Sequence, residues 1–104
     1  MSFNILFIAH APDADADKHR CFIDTGMMKC WVLITNEHEE SLEIAKKMVP
    51  ENNIHSVLLC PGHTHKDVAE MSEALGPNVG VTISRGDGPS SRVTNEILRK
   101  EGWF

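Results

Sequence analysis

The segment CPGHTH, from Cys60 to His65, gathers a thiol and two imidazoles within six positions. A cysteine beside histidines and a helix start can carry a stabilised thiolate, which is the nucleophilic form. Cys60 and His63 are therefore candidate catalytic residues, acting as nucleophile or as acid and base. A free cysteine is more commonly a small buried hydrophobic residue, so a structural role for Cys60 stays open.

The same segment is also typical of an anion-binding site. Gly62 allows a ligand to approach the backbone closely, and N–H groups around Thr64 and His65 would be free at a helix start. Arg85 can form a bidentate pair with a carboxylate or a phosphate. Two further residues join them: His10 at the end of the first apolar run, and Asp87 in the Gly/Ser-rich segment after Arg85. The predicted ligand-binding set is therefore His10, Gly62, Thr64, His65, Arg85 and Asp87.

The HxH spacing of His63 and His65 fits two ligands of zinc or another transition metal, joined by His10 or Cys60. No HExxH motif or cysteine pair accompanies it. We therefore predict no metal site, keep His63 and His65 as the weaker alternative, and assign no cofactor. His38 is expected on the polar face of its helix, away from any site.

Asp13, Asp15 and Asp17 match the first ligands of a calcium-binding loop, but Lys18 stands where that loop requires glycine. We interpret the aspartates as the negatively charged start of a helix over residues 15–25. A helix is expected there because parallel neighbouring strands need a crossover of about a dozen residues.

Four near-continuous apolar runs predict buried parallel strands, and amphipathic patterns between them predict three further helices. The order βαβαβαβα gives an α/β fold: a single small domain over residues 1–104, with a four-stranded mainly parallel sheet and helices on both faces. The expected strand order is 2-1-3-4, a truncated flavodoxin-like arrangement, with a partial barrel as the alternative. The predicted strands are Phe3–Ala9, Cys30–Thr35, Ile54–Cys60 and Asn78–Ser84, and the helices are Glu37–Val49, His65–Leu75 and Ser91–Lys100.

Composition excludes several classes of function. A formal charge of −5 over 104 residues disfavours binding to nucleic acid or to acidic lipid. No apolar run approaches the ~20 residues of a membrane span, and the N-terminus lacks the basic region of a secretion signal. Three cysteines without CxxC spacing favour a reducing, cytoplasmic location. The edges of a short open sheet and the aromatic C-terminus, Trp103 and Phe104, favour a homodimer or higher homo-oligomer.

Three stretches resemble one family of small bacterial proteins: APDADADKHRCFIDTG, VLLCPG and VGVTISRGDG. That family is domain-of-unknown-function family number 6506, and the resemblance covers roughly residues 3 to 88. The matching positions include the Lys18-His19-Arg20 run, Thr25-Gly26, Cys60 and Gly62, whereas Pro61 stands where the family tends to have glycine. The resemblance implies a fold and supplies no activity.

In an open parallel sheet, ligands bind beyond the carboxyl ends of the strands, where the candidate residues converge. The first expectation for function is therefore a module that binds a small anionic molecule at those ends. The alternatives are a small enzyme using Cys60 and His63, and a structural protein of an oligomeric assembly. The sequence alone leaves open whether the chain is an enzyme.

Overall fold

The computed structural model describes residues 1–86 and 88–104 as an α/β domain with one five-stranded mixed sheet and three helices. The sheet order is β2-β3-β1-β4-β5. Strand β1 is parallel to β3 and β4, β4 is parallel to β5, and β2 is antiparallel to β3. The elements are β1 (Phe3–His10), β2 (Arg20–Asp24), β3 (Met28–Thr35), α1 (His38–Glu51), β4 (Ser56–Leu59), α2 (His65–Leu75), β5 (Gly80–Ile83) and α3 (Gly88–Lys100).

The hydrophobic core lies between the sheet and the two helices α1 and α2. Alternate residues of β1, including Leu6 and Ile8, are fully buried, as are Leu33 of β3 and Met71 of α2. Alternation places these strand side chains on one face of the sheet, where the helices cover them. Each such side chain contributes roughly 1.5–3 kcal/mol on burial, so the sheet–helix layer is the main source of stability.

The predicted helix over residues 15–25 is wrong. Residues 11–19 form turns, in which the backbone N–H groups of Lys18 and His19 donate to the carbonyl of Asp15. Residues Arg20–Asp24 then form β2, which pairs with β3 through a tight turn at Gly26, where φ is +97°. An antiparallel hairpin needs only a short turn, so the chain returns to β3 without a helical crossover.

The predicted four-stranded sheet is therefore replaced by a five-stranded one with an antiparallel edge, and the flavodoxin-like detail is not confirmed. Helices on both faces are not confirmed either, because α1 and α2 pack against each other and so share one face. The shared face follows from the strand order. The β3–α1–β4 and β4–α2–β5 crossovers proceed in the same direction along the sheet, and right-handed crossovers in one direction place their helices on one face. Helix α3 has no buried residue.

The starts and ends of the helices follow local chemistry. Thr64 caps α2: its hydroxyl accepts the Asp67 N–H, and the Asp67 carboxylate accepts the Thr64 N–H. Helix α1 continues one residue past Pro50, which the sequence had predicted as its stop. Across the described ranges of the chain, none of the helices has the length and apolar character that crossing a bilayer requires.

Candidate functional site

The carboxyl ends of β1, β4 and β5 meet α3 and the C-terminus around a cavity of about 590 Å³. Its wall combines one guanidinium, several neutral polar groups and an apolar part formed by the C-terminal segment. Among the described lining residues there is no aspartate or glutamate. The lining residues are His10, Cys60, Pro61, Gly62, Arg85, Gly86, Ser90, Ser91, Thr94, Asn95, Leu98, Trp103 and Phe104.

His10, at the end of β1, is held by two buried hydroxyl groups behind it. Its Nε2 lies 3.2 Å from Ser41 Oγ, which in turn lies 2.6 Å from Thr35 Oγ1. The Ser41 hydroxyl also lies 3.3 Å from the carbonyl of Glu37, so it connects His10 and Thr35 to the first turn of α1. His10 Nδ1 lies on the side of Gly62, 3.9 Å from the position that a Cβ on that glycine would occupy.

His63 lies beneath the cavity wall and is only 1% exposed. Its Nδ1 lies 3.3 Å from the carbonyl of Cys60 and 3.7 Å from the Cys60 thiol, and its ring packs 3.9 Å from that of His10, between centroids. Burial first, and then the neighbouring His10, lower the pKa of His63 to about 4. The ring is therefore neutral at pH 7, with Nδ1–H donating to the carbonyl of Cys60. Its Nε2 is buried and has no hydrogen-bond partner within residues 1–86 and 88–104.

His38 lies in the first turn of α1 and joins this group from the side of α2. Its ring stands edge-on to that of His63, with centroids 5.8 Å apart. Its Nε2 is 3.2 Å from Glu70 Oε2 and 3.8 Å from Asp67 Oδ1. Burial raises the pKa of Asp67, but the Thr64 N–H and His38 outweigh it and hold that pKa below its ordinary value.

Arg85 follows β5 and lies at the edge of the cavity. One of its guanidinium nitrogens lies 3.5 Å from the carbonyl of Pro61, and the other lies 3.2 Å from His65 Nδ1. Neither the carbonyl nor the imidazole carries a negative charge, so these contacts orient the guanidinium without neutralising it. Among the described residues, no carboxylate forms a salt bridge with Arg85.

The structure brings together four of the residues predicted from the sequence: His10, Cys60, Gly62 and Arg85 all line the cavity. Thr64 instead caps α2, and His63 lies behind the wall. His63 and His65, the weaker metal alternative, have different partners, since His65 is exposed and contacts Arg85. Asp87 lies outside the described residues.

Sequence reasoning missed His38, which was expected to lie apart, and its two carboxylate neighbours Asp67 and Glu70. A signal was available: His38 follows β3 at the same edge of the sheet, and residues 67 and 70 are one helical turn apart on α2. It also missed the polar face of α3, because Ser90, Ser91, Thr94 and Asn95 were not connected with the strand ends.

A second cavity, of about 570 Å³, lies at the opposite edge of the sheet near the amino end of β1. Its polar groups have structural partners: the Asn4 N–H donates to His55 Nδ1, and the Asn4 side chain donates to the carbonyl of Asn53. These hydrogen bonds fix the loop between α1 and β4, so we do not consider this cavity a candidate site.

Comparisons with known proteins identify a family and no activity. A sequence profile of the family of unknown function DUF6506 matches residues 3–98 of the chain. Neither the curated proteins nor the solved structures gave a match. The matched range contains all five strands and most of α3. The chain therefore belongs to the family of unknown function DUF6506.

Proposed function

We propose that this protein binds a small organic anion in the cavity at the carboxyl ends of β1, β4 and β5. The observation that carries the proposal is Arg85, a guanidinium at the cavity wall that no described carboxylate neutralises. In a chain with a formal charge of −5, a cation that has no ion-pair partner among the described residues and lies at the edge of a cavity favours a negatively charged ligand.

The cavity supports a ligand with both a charged and an apolar part. Its volume of about 590 Å³ lies within the range of roughly 300–1,000 Å³ that is common for small-molecule sites. Ser90 and Ser91 stand in the first turn of α3, so the positive end of that helix dipole adjoins the wall. Trp103 and Phe104 supply aromatic surface to the same cavity. A carboxylate or phosphate ester with a small ring or alkyl group fits this wall.

Calorimetric titration with phenyl phosphate, benzoate and inorganic phosphate tests the proposal. We expect saturable 1:1 binding of at least one organic probe, weakened about 10- to 100-fold by Arg85→Gln, because a charge-assisted hydrogen bond contributes about 1.5–3 kcal/mol. Arg92→Gln is the matched control, since Arg92 is also exposed near the start of α3 but pairs with Glu96. No saturable binding, or equal affinities of the two variants, would contradict the proposal.

A second candidate function is an enzyme in which Cys60 is the nucleophile. The observation that favours it is the distance of 3.7 Å between the Cys60 thiol, which lines the cavity, and His63 Nδ1. The competing contact of Nδ1 with the Cys60 carbonyl makes His63 a hydrogen-bond donor to the sulfur rather than its base.

Alkylation by iodoacetamide, followed by peptide mass spectrometry, tests this candidate with Cys21 as the control within the same sample. Cys21 is exposed, whereas Cys60 is half-buried. A nucleophilic Cys60 would react faster than Cys21 at neutral pH and lose that advantage in His63→Gln. A slower reaction of Cys60 than of Cys21 would argue for a structural thiol.

The three free thiols also support the predicted cytoplasmic location.

We further propose that the chain forms a homodimer through the sheet face that α1 and α2 leave uncovered. On β1, Asn4, Leu6 and Ile8 are buried, while the intervening Ile5 and Phe7 remain half-exposed. The accessible surface is 6733 Å², whereas about 5,800 Å² is typical for a monomer of 11.6 kDa. The excess of about 900 Å² is close to the ~800 Å² that each partner buries in a standard interface.

Sedimentation or light-scattering analysis of two neighbouring β2 variants tests the dimer. Ile23 and Phe22 are similarly exposed, at 55% and 49%, but alternate between the faces of the strand. Phe22 contacts Trp31 on the helix-covered face, so Ile23 lies on the open one. We expect Ile23→Glu to give monomers and Phe22→Glu to leave the dimer. A monomeric unmodified protein would refute the interface.

A further inference from the structure

The interface between α1 and α2 contains a cluster of three potential metal ligands, which we call the His38 cluster: His38, Asp67 and Glu70. One donor atom from each lies within 4.8 Å of the other two. The side chains of His38 and Asp67 are 11% and 20% exposed, so only Glu70 reaches well into solvent. None of the three residues lines the cavity of the proposed anion site.

Three histidine nitrogens of this region are buried without a hydrogen-bond partner among the residues that the structure describes. They are both ring nitrogens of His38 and Nε2 of His63. His38 Nε2 approaches Glu70 Oε2 to 3.2 Å, but that approach does not have hydrogen-bond geometry. Because buried nitrogens normally have a partner, the two orphaned nitrogens of His38, itself a member of the cluster, indicate that a group is missing here.

We propose that the His38 cluster binds a divalent first-row transition ion, with Zn²⁺ as the preferred ion. One imidazole and two carboxylates form a mixed nitrogen and oxygen donor set, which zinc accepts and which magnesium or calcium, preferring oxygen alone, does not. Three protein ligands leave one tetrahedral position for water. The site is separate from the proposed anion site and does not depend on it.

The distances fit a small ion. Two ligands each ~2.0–2.1 Å from tetrahedral zinc stand about 3.3 Å apart. His38 Nε2 already lies 3.2 Å from Glu70 Oε2 and 3.8 Å from Asp67 Oδ1. No two of the three donor atoms are more than 4.8 Å apart, so displacements of less than about 1.5 Å bring them to the spacing that zinc requires.

Neighbouring groups orient the two carboxylates as the outer shell of a metal site does. The Thr64 N–H holds Asp67 Oδ2, which leaves Oδ1 turned toward His38. Lys66 Nζ lies 3.8 Å from Glu70 Oε1, while the other oxygen faces His38. Each carboxylate therefore presents one oxygen to the cluster and has a partner for the other.

Zinc titration of the full chain, purified without a polyhistidine tag and stripped with a chelator, tests the site. We expect one Zn²⁺ per chain, and we expect Glu70→Gln to weaken its binding by more than roughly tenfold. Glu73→Gln, an exposed position on the same helix, is the matched control and keeps the affinity of the unmodified protein. Glu70 is partly exposed, so its substitution leaves the core intact.

Co²⁺ substitution supplies the second readout, because its visible spectrum reports coordination number and ligand type. A tetrahedral or five-coordinate spectrum without a sulfur charge-transfer band, lost in Glu70→Gln, supports the site. A sulfur band would place the ion at a cysteine, outside the His38 cluster, and overturn the proposal. Binding that His65→Gln removes and Glu70→Gln preserves would overturn it too. Absence of saturable zinc binding would overturn the proposal as well.

Discussion

Acidification is expected to destabilise this fold through His63. The pKa of His63 is lowered from 6.5 to about 4, first by burial and then by His10. Between pH 6.5 and 4 the unfolded chain takes up a proton on His63 and the folded chain does not. The free energy of unfolding therefore decreases as the pH is lowered to about 4, and then levels off. Above pH 6.5 His63 is neutral in both states and contributes no pH dependence.

The expected loss follows from the two pKa values of His63, which are 2.5 units apart. A shift of one unit corresponds to about 1.4 kcal/mol, so the full effect is about 3.5 kcal/mol, of which about 2.5 kcal/mol lies between pH ~7.5 and ~4.5. The lowered pKa of His10 adds to the loss with the same sign, because burial and His38 disfavour its charged form as well.

Urea denaturation at these two pH values, with a chelator present, measures the effect. We expect His63→Gln to lose about 2.5 kcal/mol less than the unmodified protein on acidification. His65→Gln, two residues away and exposed, is the control and retains the full loss. If His63→Gln and the unmodified protein lost the same free energy of unfolding, His63 would not be held neutral by burial, and the reasoning would be refuted.

Three further substitutions test the parts of the fold that position the site. Ser41→Ala leaves the buried hydroxyl of Thr35 and Nε2 of His10 without their partner, and we expect urea denaturation to show a loss of about 1–3 kcal/mol. Thr64→Ala removes the hydroxyl that caps α2, and thermal unfolding should reveal a loss of about 1 kcal/mol. Gly26→Ala places a Cβ at φ +97° in the β2–β3 turn, and the same measurement should give a loss of about 1–2 kcal/mol.

Each of these substitutions has an outcome that would contradict its argument. A neutral Ser41→Ala would mean that water replaces the hydroxyl in its bonds to Thr35 and His10. Stability unchanged in Thr64→Ala would show that the Asp67 side chain alone holds the first turn of α2. Unchanged stability of Gly26→Ala would mean that the turn relaxes to negative φ. Because the three sites lie in different elements, their effects should add when combined.

The local elements were predictable because their signals are local. Near-continuous apolar runs predicted the strands that became β1, β3, β4 and β5, and an amphipathic pattern predicted α2 over His65–Leu75. The convergence of His10, Cys60 and Arg85 followed from one general property of parallel sheets, that strand carboxyl ends share an edge. These conclusions needed only side-chain type, periodicity and spacing.

Tertiary structure decided what depends on pairing between distant segments. Whether residues 20–24 become a helix or an edge strand depends on the free hydrogen-bonding edge of β3, which the local sequence does not contain. The His38 cluster, and the contact of His38 with His63 beside it, likewise depend on how α1 packs against α2. The same packing buries His63 and so keeps its ring neutral. Water, which would stabilise a charged imidazole, is excluded only when the helices cover the sheet.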